Sequence, residues 1–258
     1  MWKVVRLSEG QLRDVRPEDV LEDGWFRFCE TYRGGGGYDL FPDIARRRFG
    51  YAHHCQFVVQ LLGCHLDCPY CYVTREGVWG EHRKFTSLDL VDAFNRAFAE
   101  HGTTVFHLMG GAPALQLKQW PDLLATFRAR ADERCVFHSD LLLTEAPYDE
   151  AVLHEIARPN CLYAVDVKGL TQEEHLKNTR KPFNEELFWS NLDKIERFRL
   201  PYYLTFTAVS EQGAFWDRFK SLYSQSYEDR KAEAFTIDLI EYDAQPFVDR
   251  VPWGERKT

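Results

Sequence analysis

The chain has 258 residues, of which 45% are hydrophobic, and its formal net charge at pH 7 is −8. A chain of this length can bury a full hydrophobic core, and its acidic balance argues against a general nucleic-acid-binding protein, which needs a basic surface. The sequence contains no apolar stretch of membrane-spanning length and no N-terminal secretory segment, so we expect a cytoplasmic protein without a membrane partner.

Residues 1–54 follow no regular pattern of strands and helices. They mix charges of both signs and contain four consecutive glycines at 34–37. No predicted strand leads into these glycines and no Lys-Ser/Thr pair follows them, so they favour a hinge or lid over a phosphate-binding loop. We expect this N-terminal extension to pack against the side of the main domain or to cover its mouth.

From residue 55 to residue 258, short apolar runs alternate with amphipathic stretches of helical length. This alternation predicts βα units and a parallel sheet. The predicted strands lie at 56–62, 104–109, 135–142, 161–167, 202–209 and 235–242. Helical patterns separate them, with cap signals at Thr86 and Asn184, a helix over 115–127 that Pro121 should disturb in its middle, and a last helix over 215–222. Six such units predict an α/β fold, a partial (β/α)6 TIM-like barrel that binds ligands at the C-terminal ends of its strands.

The segment after the first predicted strand holds Cys64, Cys68 and Cys71 at the spacing C-x3-C-x2-C. Three closely spaced thiolates can bind three irons of a [4Fe–4S] cluster, whereas a ferredoxin supplies a fourth thiolate. No fourth cysteine follows nearby, so one iron would remain open to another ligand. Zinc with His54 or His65 as fourth ligand is an alternative, although zinc sites favour two separated pairs of ligands.

Cys135 and Cys161 each begin an apolar run that predicts a strand, so we expect them to be small core residues. The sequence has no second set of closely spaced cysteines, which argues against auxiliary clusters.

The cysteine spacing resembles that of the radical S-adenosylmethionine (radical SAM) superfamily. The resemblance implies that Cys64, Cys68 and Cys71 bind the cluster, that AdoMet (S-adenosylmethionine) chelates the open iron, and that reduction splits AdoMet into methionine and a 5′-deoxyadenosyl radical. Tyr70, the aromatic residue before the last cysteine, is then expected near the adenine. Such a cluster implies a reducing compartment and an electron donor such as flavodoxin or ferredoxin.

The stretch Met109-Gly-Gly-Ala-Pro113 at the end of the second predicted strand resembles the Gly-Gly-Glu-Pro motif of the same superfamily. In that motif the backbone binds the amino group of AdoMet, and glycines allow a close approach of main chain to ligand. The resemblance implies that Gly110, Gly111 and Ala112 help to bind AdoMet. Ala112 replaces the usual Glu, which preserves a backbone contact and removes any role of the carboxylate.

Asp166 and Lys168 end the fourth predicted strand, where residues two apart point to the same side. They resemble the Asp-x-Lys motif of glycyl-radical-enzyme activating enzymes, such as pyruvate formate-lyase activating enzyme. The resemblance implies that Asp166 helps to hold a monovalent cation near the AdoMet carboxylate and that Lys168 lies at the active site, both as catalytic residues. A structural ion pair is the alternative.

The third predicted strand carries His138, Ser139 and Asp140 where the activating enzymes have Asp-Thr-Asn-Gly. The resemblance implies that Ser139 and Asp140 contribute oxygens to the cation or to AdoMet. His138 is either a proton donor or a satisfied core histidine.

The motif order therefore predicts an oxidoreductase that cleaves AdoMet and abstracts a substrate hydrogen, with the activating enzymes as the nearest class. Against that class, the cysteine motif begins only at residue 64, and the Gly-Gly-Ala-Pro and His-Ser-Asp stretches depart from its pattern. One alternative is direct modification of a small metabolite or peptide. Another is a non-catalytic, metal-stabilised binding protein, which the replacement at Ala112 leaves open.

Overall fold

The structure is a computed structural model that describes residues 1–7, 20–30, 55–71, 73–208 and 239–243. Three features of the sequence analysis lie outside these residues: the glycine run at 34–37, the predicted helix at 215–222, and His54. No helix in these ranges is both long and apolar enough to cross a membrane.

An eight-stranded sheet forms the centre of the described structure. Its strands, in spatial order, are β10 (Leu239–Asp243), β9 (Tyr202–Ala208), β8 (Cys161–Val167), β7 (Val136–Leu141), β6 (Val105–Met109), β4 (Cys55–Gln60), β3 (Phe26–Glu30) and β2 (Val20–Leu21). Six of these strands are parallel to one another: β4, β6, β7, β8, β9 and β10. The remaining two, β3 and β2, pair in the antiparallel direction. A separate antiparallel pair joins β1 (Trp2–Val5) to β5 (His82–Phe85).

Each parallel strand pairs with the parallel strands that precede and follow it in the chain, which is the winding of a (β/α) barrel. The prediction of an α/β fold with six parallel strands is confirmed, and the strand order agrees with a partial barrel. The sheet also extends into the N-terminal segment, because β3 pairs with β4. The division of the chain at residue 54 stays a prediction.

The helices of the described residues lie between these strands. They are α1 (Arg75–Trp79), α2 (Ser87–His101), α3 (Trp120–Arg130), α4 (Glu150–Ile156), α5 (Gln172–Thr179) and α6 (Glu185–Arg197), with 3-10 turns at Glu22–Gly24 and Pro113–Gln119. Both predicted caps are confirmed. Thr86 and Asp89 form a capping box at α2, and the side chain of Asn184 accepts a hydrogen bond from the Leu187 amide at α6.

The prediction that Pro121 disturbs the middle of a helix was wrong. A 3-10 helix occupies Pro113–Gln119, and α3 begins only at Trp120, so Pro121 lies in the first turn of α3. An amide of the first turn has no partner inside the helix, and the proline therefore removes no hydrogen bond there.

The two faces of the sheet differ in chemistry. The face towards the helices is apolar and rich in phenylalanine; the ring centroid of Phe106, for example, lies 5.8 Å from that of Phe57 and 5.7 Å from that of Phe137. Side chains alternate along a strand, so the intervening residues reach the opposite face. We call this the inner face, and it carries the buried polar residues Gln56, Gln60, His107, His138 and Thr205.

Candidate active site

The three cysteines of the C-x3-C-x2-C motif lie together on the loop after β4. All three are free thiols of intermediate exposure. Burial raises the pKa of Cys68 to about 11, with Cys71 raising it and Lys168 lowering it. Burial also raises the pKa of Cys64, with contributions from Cys68 and Cys71. The mutual effects show that the three sulfurs are close enough to interact electrostatically.

Hydrogen bonds tie this loop to two helices. The amide of Gly63 donates to the carbonyl of Val78 in α1 at 2.9 Å, and the amide of Asp67 donates to the carbonyl of Thr179 in α5 at 3.0 Å. The carboxylate of Asp67 also lies 3.7 Å from the guanidinium of Arg180. These contacts fix the loop at the C-terminal end of the parallel strands.

The predicted Gly-Gly turn after β6 lies against the backbone that leads to the cysteines. Gly110 and Gly111 have φ angles of 72° and 58°, in the left-handed region that favours glycine. A Cβ atom on Gly111 would lie 2.3 Å from the carbonyl oxygen of Gly63 and 2.5 Å from that of Leu61. The next amide, of Ala112, donates to the Gly63 carbonyl at 2.7 Å. The glycines therefore allow two loops of the site to touch through their main chains.

Ala112 contributes to an apolar wall beside the thiols. Its side chain is buried against Leu66 and Leu142, and Cys64 and Cys68 pack on this small cluster. A carboxylate at this position would be buried among apolar groups, which carries a large desolvation penalty. The departure from Gly-Gly-Glu-Pro therefore has a local packing explanation.

Asp166 and Lys168 form an ion pair near the cysteine loop. The ammonium of Lys168 lies 3.4 Å from a carboxylate oxygen of Asp166 and 5.9 Å from the centroid of the Tyr70 ring. The hydroxyl of Thr205 donates to Asp166, and the side-chain amide of Asn178 donates to the backbone carbonyl of Lys168 at 2.6 Å. Burial raises the pKa of Asp166, against the opposing attraction of Lys168.

Ser139 and Asp140 are not brought together. Ser139 is fully buried and its hydroxyl donates to the carbonyl of Leu108 at 3.2 Å. Asp140 reaches the inner face, where one oxygen lies 3.7 Å from Nε2 of His107. Because adjacent strand residues face opposite sides, only Asp140 shares the face of Asp166.

Sequence reasoning missed several polar residues that meet at this site. His107, Tyr203 and Thr205 all reach the inner face, and Nε2 of His138 lies 3.1 Å from the Tyr203 hydroxyl. Asn178 reaches the site from α5. The available signal on β9 was a polar residue at every second position, at 203, 205 and 207, and on β6 it was a single histidine in an otherwise apolar strand.

A family model of the radical SAM superfamily matches residues 58–210, which is more than half of the chain. The chain belongs to the radical SAM superfamily. Membership implies an enzyme that uses a [4Fe–4S] cluster and AdoMet, and it agrees with the position of the cysteine loop at the C-terminal ends of the strands.

Several solved structures share the fold. The anSMEcpe structure with bound AdoMet has a TM-score of 0.53 and 17% identity, with 70% of this chain and 49% of that chain covered. The structure of Streptococcus suis SuiB bound to S-adenosylmethionine has a TM-score of 0.52 and 10% identity, with 73% of this chain and 40% of that chain covered. The structure of HydG, a maturase of the [FeFe]-hydrogenase, has a TM-score of 0.54 and 10% identity, with 81% of this chain and 47% of that chain covered. The chain spans half or less of the length of these proteins, and no curated protein sequence matches it.

Proposed function

We propose that Cys64, Cys68 and Cys71 hold a [4Fe–4S] cluster at which AdoMet is reductively cleaved, and that the resulting 5′-deoxyadenosyl radical abstracts a hydrogen atom from a substrate. The observation that carries this proposal is the meeting of three features at one end of the strands: the cysteine loop, the Gly-Gly turn and the Asp166–Lys168 pair. The turn donates to the loop at 2.7 Å, and both charges of the pair act on Cys68.

The donor set fits the cluster. Soft thiolates are the ligands that iron–sulfur clusters take, and three of them leave one iron open. Burial raises the pKa of the Cys64 and Cys68 thiols above their ordinary value, so a bound metal ion is needed to hold them as thiolates. The apolar cluster around Ala112 packs against Cys64 and Cys68, which are partly buried there. When bound, the cluster supplies the electron that cleaves AdoMet.

The residues around the cysteines have separate roles in this proposal. The main chain of Gly110, Gly111 and Ala112 binds the amino group of AdoMet. Asp166 holds a monovalent cation beside the AdoMet carboxylate, and Lys168 reaches AdoMet or the substrate from the same face. The Tyr70 ring, 5.9 Å from the Lys168 ammonium, lies on the side where the adenine would bind.

For the substrate, we propose a backbone glycine of a partner enzyme, as in the glycyl-radical-enzyme activating enzymes. The support is the Asp166–Lys168 pair, which reproduces their Asp-x-Lys motif with the two charges 3.4 Å apart. The proposed electron donor is a flavodoxin or ferredoxin, and the proposed location is the cytoplasm, because a thiolate-bound cluster needs a reducing compartment. A small metabolite or peptide is the second candidate, favoured by the replacements at Ala112 and His138.

The test is anaerobic AdoMet cleavage. The protein is reconstituted with iron and sulfide, reduced with dithionite and mixed with AdoMet, and 5′-deoxyadenosine is measured by chromatography with mass detection. The expected result is 5′-deoxyadenosine from the wild type and none from Cys68→Ala. A protein that forms the cluster, binds no AdoMet and releases no 5′-deoxyadenosine would overturn the proposal in favour of a non-catalytic binding protein.

Metal analysis belongs in the same experiment. Nδ1 of His65 lies 3.0 Å from the buried carboxylate of Glu145, an arrangement also seen around histidine ligands of zinc. Zinc at one equivalent, with no iron taken up on reconstitution, would show that the cysteines form a structural zinc site instead.

A further inference from the structure

Three metal-ligating side chains that are not part of the cysteine loop meet on the inner face. They are His107 of β6 and His138 and Asp140 of β7. We propose that they form a second metal site, which binds a divalent transition-metal ion independently of the [4Fe–4S] cluster.

Strand register brings the three residues together. His107 and His138 are direct partners in the β6–β7 ladder, and their ring centroids lie 4.1 Å apart. Asp140 follows His138 by two residues and therefore reaches the same face. One ligand atom from each of the three residues lies within 4.8 Å of the other two, and Nε2 of His107 is 3.7 Å from Oδ1 of Asp140. Ligand atoms around a tetrahedral ion are roughly 3.3 Å apart when the metal–ligand bonds are about 2.0 Å long. Side-chain rotations that move each ligand atom by about 1 Å would therefore complete the site.

One ring nitrogen of each imidazole already has a hydrogen-bond partner. Nδ1 of His107 lies at hydrogen-bond distance from the Oε1 atom of Gln56, and Nε2 of His138 lies 3.1 Å from the hydroxyl of Tyr203. Metal-bound histidines are usually held in this way through the second ring nitrogen, which fixes the tautomer and the ring orientation. A metal would therefore bind Nε2 of His107 and Nδ1 of His138.

The donor set defines the class of ion. Two imidazole nitrogens and one carboxylate suit zinc, iron(II) and cobalt(II), whereas magnesium and calcium prefer oxygen ligands alone. Both histidines are buried, so few alternative side-chain positions are open to them. Three protein ligands leave at least one coordination position for a substrate oxygen or nitrogen, as in catalytic zinc sites.

The position of Asp140 links this site to the proposed AdoMet site. Its side chain is about a quarter exposed (27%), and its charge acts on Asp166. The ion would therefore lie between the buried histidines and the Asp166–Lys168 pair, where it could hold an anionic or carbonyl group of the substrate. Asp140 becomes a ligand of this ion, in place of the AdoMet or monovalent-cation contact that the family resemblance implies.

The probe is cobalt(II), added anaerobically to the full chain with its cluster reconstituted. After removal of excess metal, cobalt and iron are counted by mass spectrometry, and the d–d absorption reports the coordination of cobalt. The expected result is one cobalt per chain with nitrogen and oxygen ligands, retained when Cys64, Cys68 and Cys71 are all replaced by alanine.

Two ligand variants, one variant of a ligand's hydrogen-bond partner and one control locate the ion. His107→Gln and Asp140→Asn should each weaken cobalt binding at least ten-fold, and Gln56→Leu, which changes only the partner of His107, should weaken it about ten-fold. His154→Gln replaces an exposed histidine with 72% side-chain exposure and should leave binding unchanged. Circular dichroism without metal checks that each variant is folded.

The proposal is overturned if the wild type retains no cobalt, if cobalt is lost only with the cysteines, or if His107→Gln and Asp140→Asn bind it like the wild type. Should either ligand variant fail to fold, the effect of Gln56→Leu and the rise in the wild-type melting temperature with cobalt concentration decide the question. AdoMet cleavage is measured separately, so a failure of this site and a failure of the proposed function give different results.

Discussion

The ammonium of Lys168 lies 3.4 Å from a carboxylate oxygen of Asp166, and both groups act electrostatically on the thiol of Cys68. Thr205 donates a hydrogen bond to the other carboxylate oxygen of Asp166. The carboxylate is thus held between a cation and a hydroxyl, at the end of β8 and beside the proposed cluster ligands. Its position predicts a role in AdoMet binding rather than in cluster assembly.

Asp166→Asn should separate these two roles. The variant keeps the shape of the side chain and its contact with Thr205 but removes the charge, and charged hydrogen bonds contribute about 1.5–3 kcal/mol. We expect AdoMet affinity to fall at least ten-fold, measured by equilibrium binding to the reconstituted protein, with iron content unchanged. An equal fall in iron content would show that Asp166 supports the cluster loop instead.

Cys68→Ala and Cys161→Ala form a matched pair. Cys161 is fully buried at the start of β8, where burial raises the pKa of its thiol to about 12, and it has no role in the proposed site. We expect Cys68→Ala to lose the cluster absorbance and 5′-deoxyadenosine formation while the fold is retained, and Cys161→Ala to keep both. Retained cleavage by Cys68→Ala would contradict the assignment of the ligands.

Gly111→Ala should disturb the site, and Gly102→Ala provides its control. Both glycines have positive φ angles, 58° and 70°, so an alanine at either position costs about 1–2 kcal/mol in backbone strain. Only at Gly111 would the added Cβ meet backbone oxygens, at 2.3 and 2.5 Å, whereas at Gly102 nothing lies within 4 Å. We expect a clearly larger loss of unfolding free energy for Gly111→Ala, together with reduced iron uptake. Equal losses in urea denaturation would show that the two loops adjust without strain.

Thr86→Ala tests the start of α2. It removes the hydroxyl that accepts from the Asp89 amide, and with it half of the capping box. Loss of such a cap typically costs about 1 kcal/mol, so we expect a lower melting temperature and unchanged AdoMet cleavage. A change in cleavage would indicate that α2 influences the site.

His175 should make stability depend on pH. Burial lowers the pKa of this histidine below its ordinary value of 6.5, and the charges of His65 and Lys168 lower it further, against the carbonyl of Lys181. The folded protein therefore binds fewer protons here than the unfolded chain, and stability falls as the pH drops below about 6.5. His175→Gln should reduce the difference in melting temperature between pH 7.5 and pH 5.5. An unchanged difference would mean that other groups cause the pH dependence.

The six parallel strands could be predicted because each is a compact apolar run between turn signals. Where both ends fall in the described residues, predicted and observed ends differ by at most two residues, and at β8 they coincide at Cys161 and Val167. The predicted end at 209 and the predicted start at 235–238 lie outside the described residues. The short strands β1 and β5 could not be predicted, because β5 carries three exposed residues, His82 to Lys84, and depends on a partner about 80 residues earlier in the chain.

The candidate site was predictable only where a motif marks it. The cysteines, the Gly-Gly turn and the Asp166–Lys168 pair carry a spacing that indicates chemistry. The place of His107 depends on its register with His138, and strand register is a property of the folded sheet. The divergence of Ser139 and Asp140 was also predictable, because the predicted strand at 135–142 already runs through both residues and adjacent strand residues face opposite sides.

The contrast between the two faces of the sheet also constrains how the chain folds. If β6 paired with its neighbours one residue out of step, Phe106 would turn into the polar interior and His107 would press against the helices. Both displacements are unfavourable. The Phe106 ring would be surrounded by polar groups, and the His107 imidazole would be buried among apolar groups without its partner Gln56. The polar residues of the inner face therefore help to specify the register of the strands during folding. Replacing them with apolar residues would make misregistered sheets less unfavourable, independently of any effect on catalysis.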